Sequence, residues 1–173
     1  ISVYGSGVFR YNPSDGKIKH YSHDINDEKS LISNLTTKIL IDHTGEVWIA
    51  THDQGVCKYD PFTDSFFRID ATDKQKGYTA RYIYALCEDS FGNIWLGNYR
   101  GGVDFLSYNQ PVFRTLAYNT LKDGVLTDKQ VWGLAIDSKS RIWLGGENEI
   151  AIFSPDMKLQ KILSLNGIAN PHT

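Results

Sequence analysis

Residues 89–103 read DSFGNIWLGNYRGGV, a stretch that combines an acid, a tryptophan, several glycines and an Asn-Tyr-Arg cluster. On its own it resembles a loop that holds a small chemical site. The stretch recurs, however, as DHTGEVWIATHDQGV from residue 42 and as DSKSRIWLGGENEIA from residue 137. The acids of the three copies are 47 and 48 residues apart, and so are the tryptophans. The chain is therefore built from an internal repeat.

The residues shared by the copies have a structural interpretation. An Asp at a tight turn accepts hydrogen bonds from backbone N–H groups, and a Gly supplies a positive φ. We expect the tryptophans to pack one repeat on the next. The alternative role of the acids is a calcium-binding loop, and that of the indoles is stacking on a sugar. These structural positions are Asp42, Gly45, Trp48, Gly55, Asp89, Gly92, Trp95, Gly102, Asp137 and Trp143. The third copy departs from the pattern, with Ser140 at the place of Gly92 and Glu149 at that of Gly102.

Each period contains four short runs of β-branched and aromatic residues, bounded by Gly, Asp, Asn and Pro. Such runs are typical of strands joined by hairpins, and we name them A to D in chain order. Four strands in about 47 residues is the arithmetic of one blade of a β-propeller. The sequence therefore predicts an all-β fold, a partial propeller of about three and a half blades with four-stranded antiparallel sheets.

The blade boundaries follow from the repeat. We place a C-terminal half-blade with two strands and a link at residues 1–33, blades at 34–80 and 81–128, and a last blade with a tail at 129–173. Closed propellers have 4–8 blades, so three and a half blades leave apolar blade faces that must be covered. The expected partners are remaining blades of a longer protein or a second copy of the chain, since two copies give roughly seven blades.

Composition excludes several classes of function. The 173 residues carry a net charge of −2, without the clustered basic face that nucleic acids require. No apolar run approaches the roughly 18 residues that span a bilayer, and no signal peptide opens the chain. We predict no nucleic-acid partner, no membrane contact, no metal and no cofactor. Cys57 and Cys87 lie in apolar strand patterns, which favours buried thiols over a disulfide.

The repeat D-x-x-G-x-[IV]-W-[IL]-[AG], followed by GG[VL] and Y[DN]P, resembles the two-component regulator propeller repeat. SLISNLTTKIL, residues 30–40, resembles the opening of that family's blades. The resemblance covers essentially the whole chain. It implies a non-catalytic sensor region of a Bacteroides-type hybrid histidine kinase that senses oligosaccharides and controls polysaccharide-utilisation genes. It further implies a periplasmic location, with the parent protein anchored in the inner membrane and its kinase part elsewhere.

Consecutive connections of an up-and-down blade alternate between its two ends. The B–C loops and the D–A links therefore share one end, and they carry the chemistry that differs between repeats. Aromatic, amide, carboxylate and guanidinium groups there suit a sugar or an acidic saccharide. The candidate ligand-binding residues are His52, Asp53, Gln54, Asn98, Tyr99, Arg100, Glu147 and Asn148. The alternative interpretation is that they are solvated loop residues or contacts to a neighbouring domain.

Two other functions remain open at this stage. A carboxylate pair drawn from two blades would suit a polysaccharide-active propeller enzyme, a lyase or a glycosidase. A purely structural stack of blades, with the ligand site elsewhere, needs no binding residues at all. We expect the sensor and no catalytic residue, because His52 and Asp53 are neighbours in one loop, where side chains rarely form a catalytic pair, and the five histidines show no metal-ligand spacing.

Overall fold

The computed structural model describes residues 1–70, 81–99, 102–108, 113–116 and 130–165. All regular secondary structure in these ranges is β-strand, arranged as four antiparallel sheets. This confirms the all-β prediction. No helix in the described ranges is long and apolar enough to cross a membrane.

The four sheets follow one another along the chain, and we number them as blades I to IV. Blade I contains β1 (Ser2–Val3), β2 (Gly7–Tyr11) and β3 (Ile18–Tyr21). Blade II contains β4 (Thr36–Ile41), β5 (Val47–Thr51), β6 (Gly55–Asp60) and β7 (Ser65–Asp70). Blade III contains β8 (Ile83–Glu88), β9 (Ile94–Asn98), β10 (Gly102–Leu106) and β11 (Phe113–Leu116). Blade IV contains β12 (Gly133–Ile136), β13 (Ile142–Gly145), β14 (Glu149–Phe153) and β15 (Leu159–Ser164).

Strands adjacent in sequence are adjacent in every sheet, so the blades are simple up-and-down meanders, as predicted. β4 contacts β8, and β8 contacts β12, which places the first strands of these blades side by side. The predicted two strands of the first blade are three in the structure. The extra strand, β1, pairs Ser2 with Val8 and Val3 with Gly7. A turn through Gly5, whose φ is 82°, directs the chain back onto β2.

The turn between the first two strands of a blade is organised by its acid. In blade III, Asp89 Oδ1 accepts hydrogen bonds from the backbone N–H groups of Phe91 and Asn93, both at 2.9 Å. Its Oδ2 accepts the indole N–H of Trp95 at 2.8 Å. The indole of Trp48 bonds Asp42 and that of Trp143 bonds Asp137 in the same way, at 2.8 and 2.9 Å. The carboxylates thus serve N–H donors of the turn, which is not the arrangement of a calcium loop.

The third copy keeps this turn without its glycine. Ser140 adopts a φ of 57°, in the left-handed region where Gly45 and Gly92 have values of 86° and 81°. Its hydroxyl lies 2.6 Å from that of Ser90 in the neighbouring blade. The side chain therefore adds a contact between blades at a position where the backbone conformation favours glycine.

The hydrophobic core lies between the blades. Trp48 and Trp95 are only 4% and 2% exposed and pack on the apolar residues of the following blade. Trp143 lies on the opposite face of blade IV from Ile142 and is partly exposed. The core residues are Val8, Tyr21, Leu31, Ile49, Cys57 and Phe66 between blades I and II; Ala50, Val56, Ile69, Ile83, Leu86 and Leu96 between II and III; and Val103, Val131, Ile142, Leu144, Ala151 and Phe153 between III and IV.

Both cysteines are free thiols in this structure. Cys57 is fully buried beneath blade I, and Cys87 is partly buried against blade IV. Burial raises the pKa of each thiol to about 12, because desolvation disfavours the thiolate. The two side chains therefore act as small apolar residues of the core.

Candidate functional site

One end of the blades is tied together by backbone hydrogen bonds. The β5–β6 loop donates from His52 N–H to the carbonyl of Leu35, just before β4, at 2.8 Å. From Gly55 N–H it also donates to Arg81, just before β8, at 3.2 Å. Each such loop thus contacts the start of the first strand of its own blade and of the next. We call this end the loop end.

Six rings meet at the loop end and form what we call the aromatic patch. Neighbouring ring centroids lie 5.2–6.4 Å apart, and most pairs are edge-to-face, the arrangement that aromatic quadrupoles favour. Its members are Tyr4, His52, Tyr82, Tyr84, Tyr99 and Trp132. Each of the four blades contributes at least one ring. The rings lie in loops or at the start of a first strand.

A hydrogen bond stabilises the centre of the patch. The Tyr84 hydroxyl lies 2.7 Å from Nδ1 of His52. Burial, with further contributions from Tyr4 and Tyr99, raises the pKa of Tyr84 above its ordinary value. A phenol hydroxyl can donate or accept, so the bond forms with either tautomer of the His52 ring. The pair fixes the orientation of both rings.

The outer members of the patch are exposed to solvent. Tyr4 is 59% exposed, Tyr82 is 43% exposed and Trp132 is 46% exposed. Large apolar side chains held at the surface by one another, with a hydroxyl or N–H group at the edge, are unusual outside binding surfaces. The patch can stack flat apolar faces and hydrogen-bond groups around their rims.

Two of these six rings are ligand-binding candidates predicted from the sequence. His52 and Tyr99, in loops of different blades, both contact Tyr84, so the structure brings them together. Tyr4, Tyr82, Tyr84 and Trp132 were missed, although Tyr84 and Trp132 each stand five residues before the acid of their repeat. That shared register, aromatic in two blades, was the available signal.

The other candidates lie in different surroundings. Asn98 is only 1% exposed and donates from Nδ2 to Asp104 Oδ2 at 2.9 Å, so it lies in the interior of blade III. Glu147 and Asn148 are exposed in the loop between β13 and β14. Arg100 lies outside the described residues.

Asp53 and Gln54 face a separate cavity of about 340 Å³. His23 and Arg68 line it from the link before β4 and from β7. The loop that presents His52 to the aromatic patch therefore presents its next two residues to a second, more polar recess.

The repeat itself has known relatives. The two-component regulator propeller family matches residues 77–100, which include β8, the Asp89 turn and β9. Residues 77–100 are thus similar to one repeat of that family. This matched segment supplies three rings of the patch, those of Tyr82, Tyr84 and Tyr99.

Proteins similar to this propeller chain occur in signalling systems. It is 28% identical over 154 residues to histidine kinase P4 of Formosa agariphila, an alignment that covers 87% of the chain and 11% of the kinase. Its fold matches the extracellular domain assigned to the hybrid two-component system BT3049 of B. thetaiotaomicron, with a TM-score of 0.77, 20% identity, and 92% and 21% of the two chains covered. The corresponding domain of BT4673 matches with a TM-score of 0.73, 21% identity, and 96% and 22% covered. The chain thus spans 11–22% of the length of these relatives.

Proposed function

We propose that this chain is a ligand-binding part of the extracytoplasmic sensor region of a hybrid two-component histidine kinase, and that its ligand is an oligosaccharide. The observation that carries the proposal is the aromatic patch of six rings at the loop end. The similarity to histidine kinase P4 and to extracellular domains of two hybrid systems supports the setting.

Sugar rings match what the patch offers. The C–H face of a pyranose is flat and apolar, and it stacks on aromatic rings, whereas its hydroxyls need hydrogen-bond partners around the rim. The exposed rings of Tyr82 and Trp132 offer the first property. The phenol groups and the His52 ring offer the second.

A ligand bound there would bridge blades. Tyr4 and His52 come from the loops of blades I and II, and Trp132 comes from the start of blade IV. A ligand that contacts several of these rings favours one arrangement of the blades over others, by as much as its affinities for the two arrangements differ. A periplasmic sensor of an inner-membrane kinase requires such a bias and no catalysis, and its expected output is control of polysaccharide-utilisation genes.

Replacement of Trp132 tests the proposal. We expect Trp132→Ala to weaken oligosaccharide binding by about 3- to 10-fold, because it removes one stacking partner from the patch. The measurement is calorimetry, with tryptophan fluorescence, against a panel of plant and algal oligosaccharides. Incubation of the same panel followed by chromatography of the sugars examines the enzyme alternative.

Phe91→Ala is the matched control, because Phe91 is 60% exposed in the Asp89 turn at the opposite end of blade III. We expect this variant to bind like the unmodified protein. Absence of saturable binding across the panel, or an equal loss in both variants, would contradict the proposal. Turnover of any sugar in the panel would favour the enzyme instead.

A further inference from the structure

A polar cavity of about 340 Å³ lies beside the aromatic patch at the loop end. Its walls come from three segments, the link between β3 and β4, the loop between β5 and β6, and the strand β7. The lining residues are His23, Ile25, Ile32, Ser33, Asp53, Gln54 and Arg68. Its volume is at the lower end of the range for small-molecule sites, roughly 300–1,000 Å³.

The Arg68 guanidinium forms a rigid wall of this cavity. Its Nη2 donates to the carbonyl of Asp27 at 2.8 Å and to the hydroxyl of Ser30 at 2.7 Å. Its Nε donates to the Ser30 carbonyl at 3.0 Å. These bonds fix the guanidinium and the link, and they use the Nε and Nη2 donors, which leaves Nη1 as the nitrogen that would serve a ligand.

Asp53 supplies an acceptor that the fold does not use. Its Oδ1 is enclosed and accepts no hydrogen bond from the residues that the structure describes. A buried carboxylate oxygen without a partner costs about 1–3 kcal/mol or more, which folded proteins rarely tolerate without a reason. Rotation of the side chain towards the cavity would expose this oxygen to a ligand donor, which would remove this cost.

His23 adds a second acceptor. Its Nδ1 lies 2.8 Å from the carbonyl of Leu31, and a carbonyl only accepts, so Nδ1 carries the proton. Nε2 of the neutral ring is then a lone-pair acceptor. The cavity thus combines the donors of Arg68, the acceptors of Asp53 and His23, and the Gln54 amide, which does both.

We infer that this cavity is a second binding site, separate from the aromatic patch, for an uncharged polyol of one sugar ring. The guanidinium and the carboxylate oppose each other in charge, so a charged ligand gains little from the site. Its single carboxylate falls short of the several oxygen ligands that a divalent cation requires. Alternating donors and acceptors around a small recess match adjacent hydroxyls, which both donate and accept.

Titration with monosaccharides tests the site. The probes are D-glucose, D-galactose, D-xylose and myo-inositol, and the readout is the NMR signals of the Arg68 Nε–H group and the His23 ring. We expect at least one probe to shift both signals saturably, and Asp53→Asn to weaken that probe's binding by 5-fold or more. Asp15→Asn, a change of an exposed carboxylate in the β2–β3 turn, is the matched control and leaves the affinity unchanged.

Thermal denaturation separates binding from folding. Because Asp53 Oδ1 accepts no hydrogen bond within the described ranges, Asp53→Asn should leave the melting temperature unchanged or raise it while it weakens binding. No saturable shift with any of the four probes overturns the inference, and so does a lower melting temperature with unchanged affinity. Trp132→Ala should leave the Arg68 shifts intact. If no oligosaccharide binds at the aromatic patch but the monosaccharide-induced shifts of Arg68 persist, the proposed function is contradicted and the second binding site is not.

Discussion

Gly5 and Gly7 share a backbone conformation but have different surroundings. Their φ values are 82° and 85°, in the region that side chains with a Cβ disfavour. A Cβ on Gly5 would meet nothing within 4 Å. A Cβ on Gly7 would lie 2.4 Å from the backbone carbonyl oxygen of Tyr21 and 3.2 Å from Cδ2 of Leu31. Gly7 is therefore required by packing as well as by its dihedral angles.

Alanine at these two glycines separates the two requirements. We expect Gly5→Ala to lower the free energy of unfolding by about 1 kcal/mol, the cost of the backbone strain alone. Gly7→Ala should cost more than about 3 kcal/mol, because the Tyr21 carbonyl must move and β2 must shift from β3. Urea denaturation followed by circular dichroism measures both. Equal losses in the two variants would contradict the packing argument.

At the scale of the strand, the repeated tryptophans show how one position acquires different roles. Trp95 and Trp143 occupy the same register in β9 and β13, and each donates its indole N–H to the acid of its own turn. Trp95 is covered by blade IV. Trp143 is partly exposed, with the Arg141 guanidinium 5.4 Å from its ring centre.

Truncation of the two tryptophans should differ in cost. Trp95→Ala removes a fully packed side chain, so we expect a loss of about 3–5 kcal/mol in the free energy of unfolding. Trp143→Ala should cost about 1–2 kcal/mol, because less apolar surface is lost. Denaturant titrations at low protein concentration measure both values. An equal cost would mean that the Trp143 face is covered in solution, and light scattering would then show whether a second copy covers it.

At the scale of the whole molecule, one carboxylate connects blades I and II at the end opposite the loop end. Asp64, in the β6–β7 turn, accepts hydrogen bonds from the hydroxyls of Tyr21 and Tyr59, both at 2.7 Å. It also forms an ion pair with Lys19. Lys19, followed by the two tyrosines, lowers the pKa of Asp64 well below its ordinary value. Burial, followed by Tyr59 and Asp64, raises the pKa of Tyr21.

The contacts of Asp64 between blades I and II should weaken at both extremes of pH. The pKa of Asp64 is lower in the folded state, so its stabilising contribution is present above the unfolded value of about 3.9 and is lost as pH falls further. The pKa of Tyr21 is higher in the folded state, so its contribution is complete below pH of about 10 and is lost as pH rises beyond it.

Melting temperatures between pH 2 and 11 measure the effect. Asp64→Asn should lower the melting temperature at pH 7 and flatten both limbs of the profile, because it removes the carboxylate that the tyrosines and Lys19 share. Asp15→Asn is the matched control, since Asp15 pairs only within its own turn in the described structure. A profile of Asp64→Asn that parallels the unmodified protein would contradict the assigned role.

The sequence predicted the blades because the features that define a blade depend on residues close together in the chain. The acid and the indole of each turn are six residues apart, and strand lengths follow from patterns of four to six residues. Asn98 shows where local reasoning fails. It stands where a loop begins, beside Tyr99, yet it is the last residue of β9 and bonds Asp104 of the next strand. Alternation along a strand, set by register, decides that its side chain points inward.

The sequence by itself determined the repeat, the turn chemistry and the end of the blades at which the chemistry varies, because each depends on residues a few positions apart. Only the tertiary structure decided which side chains meet there. Tyr4 and Trp132 are 128 residues apart and belong to one patch because the first strands of the blades lie side by side. The same packing sends His52 towards the aromatic rings and Asp53 towards the cavity that Arg68 lines. No periodicity encodes the angle at which one blade packs on the next, and that angle determines both sites.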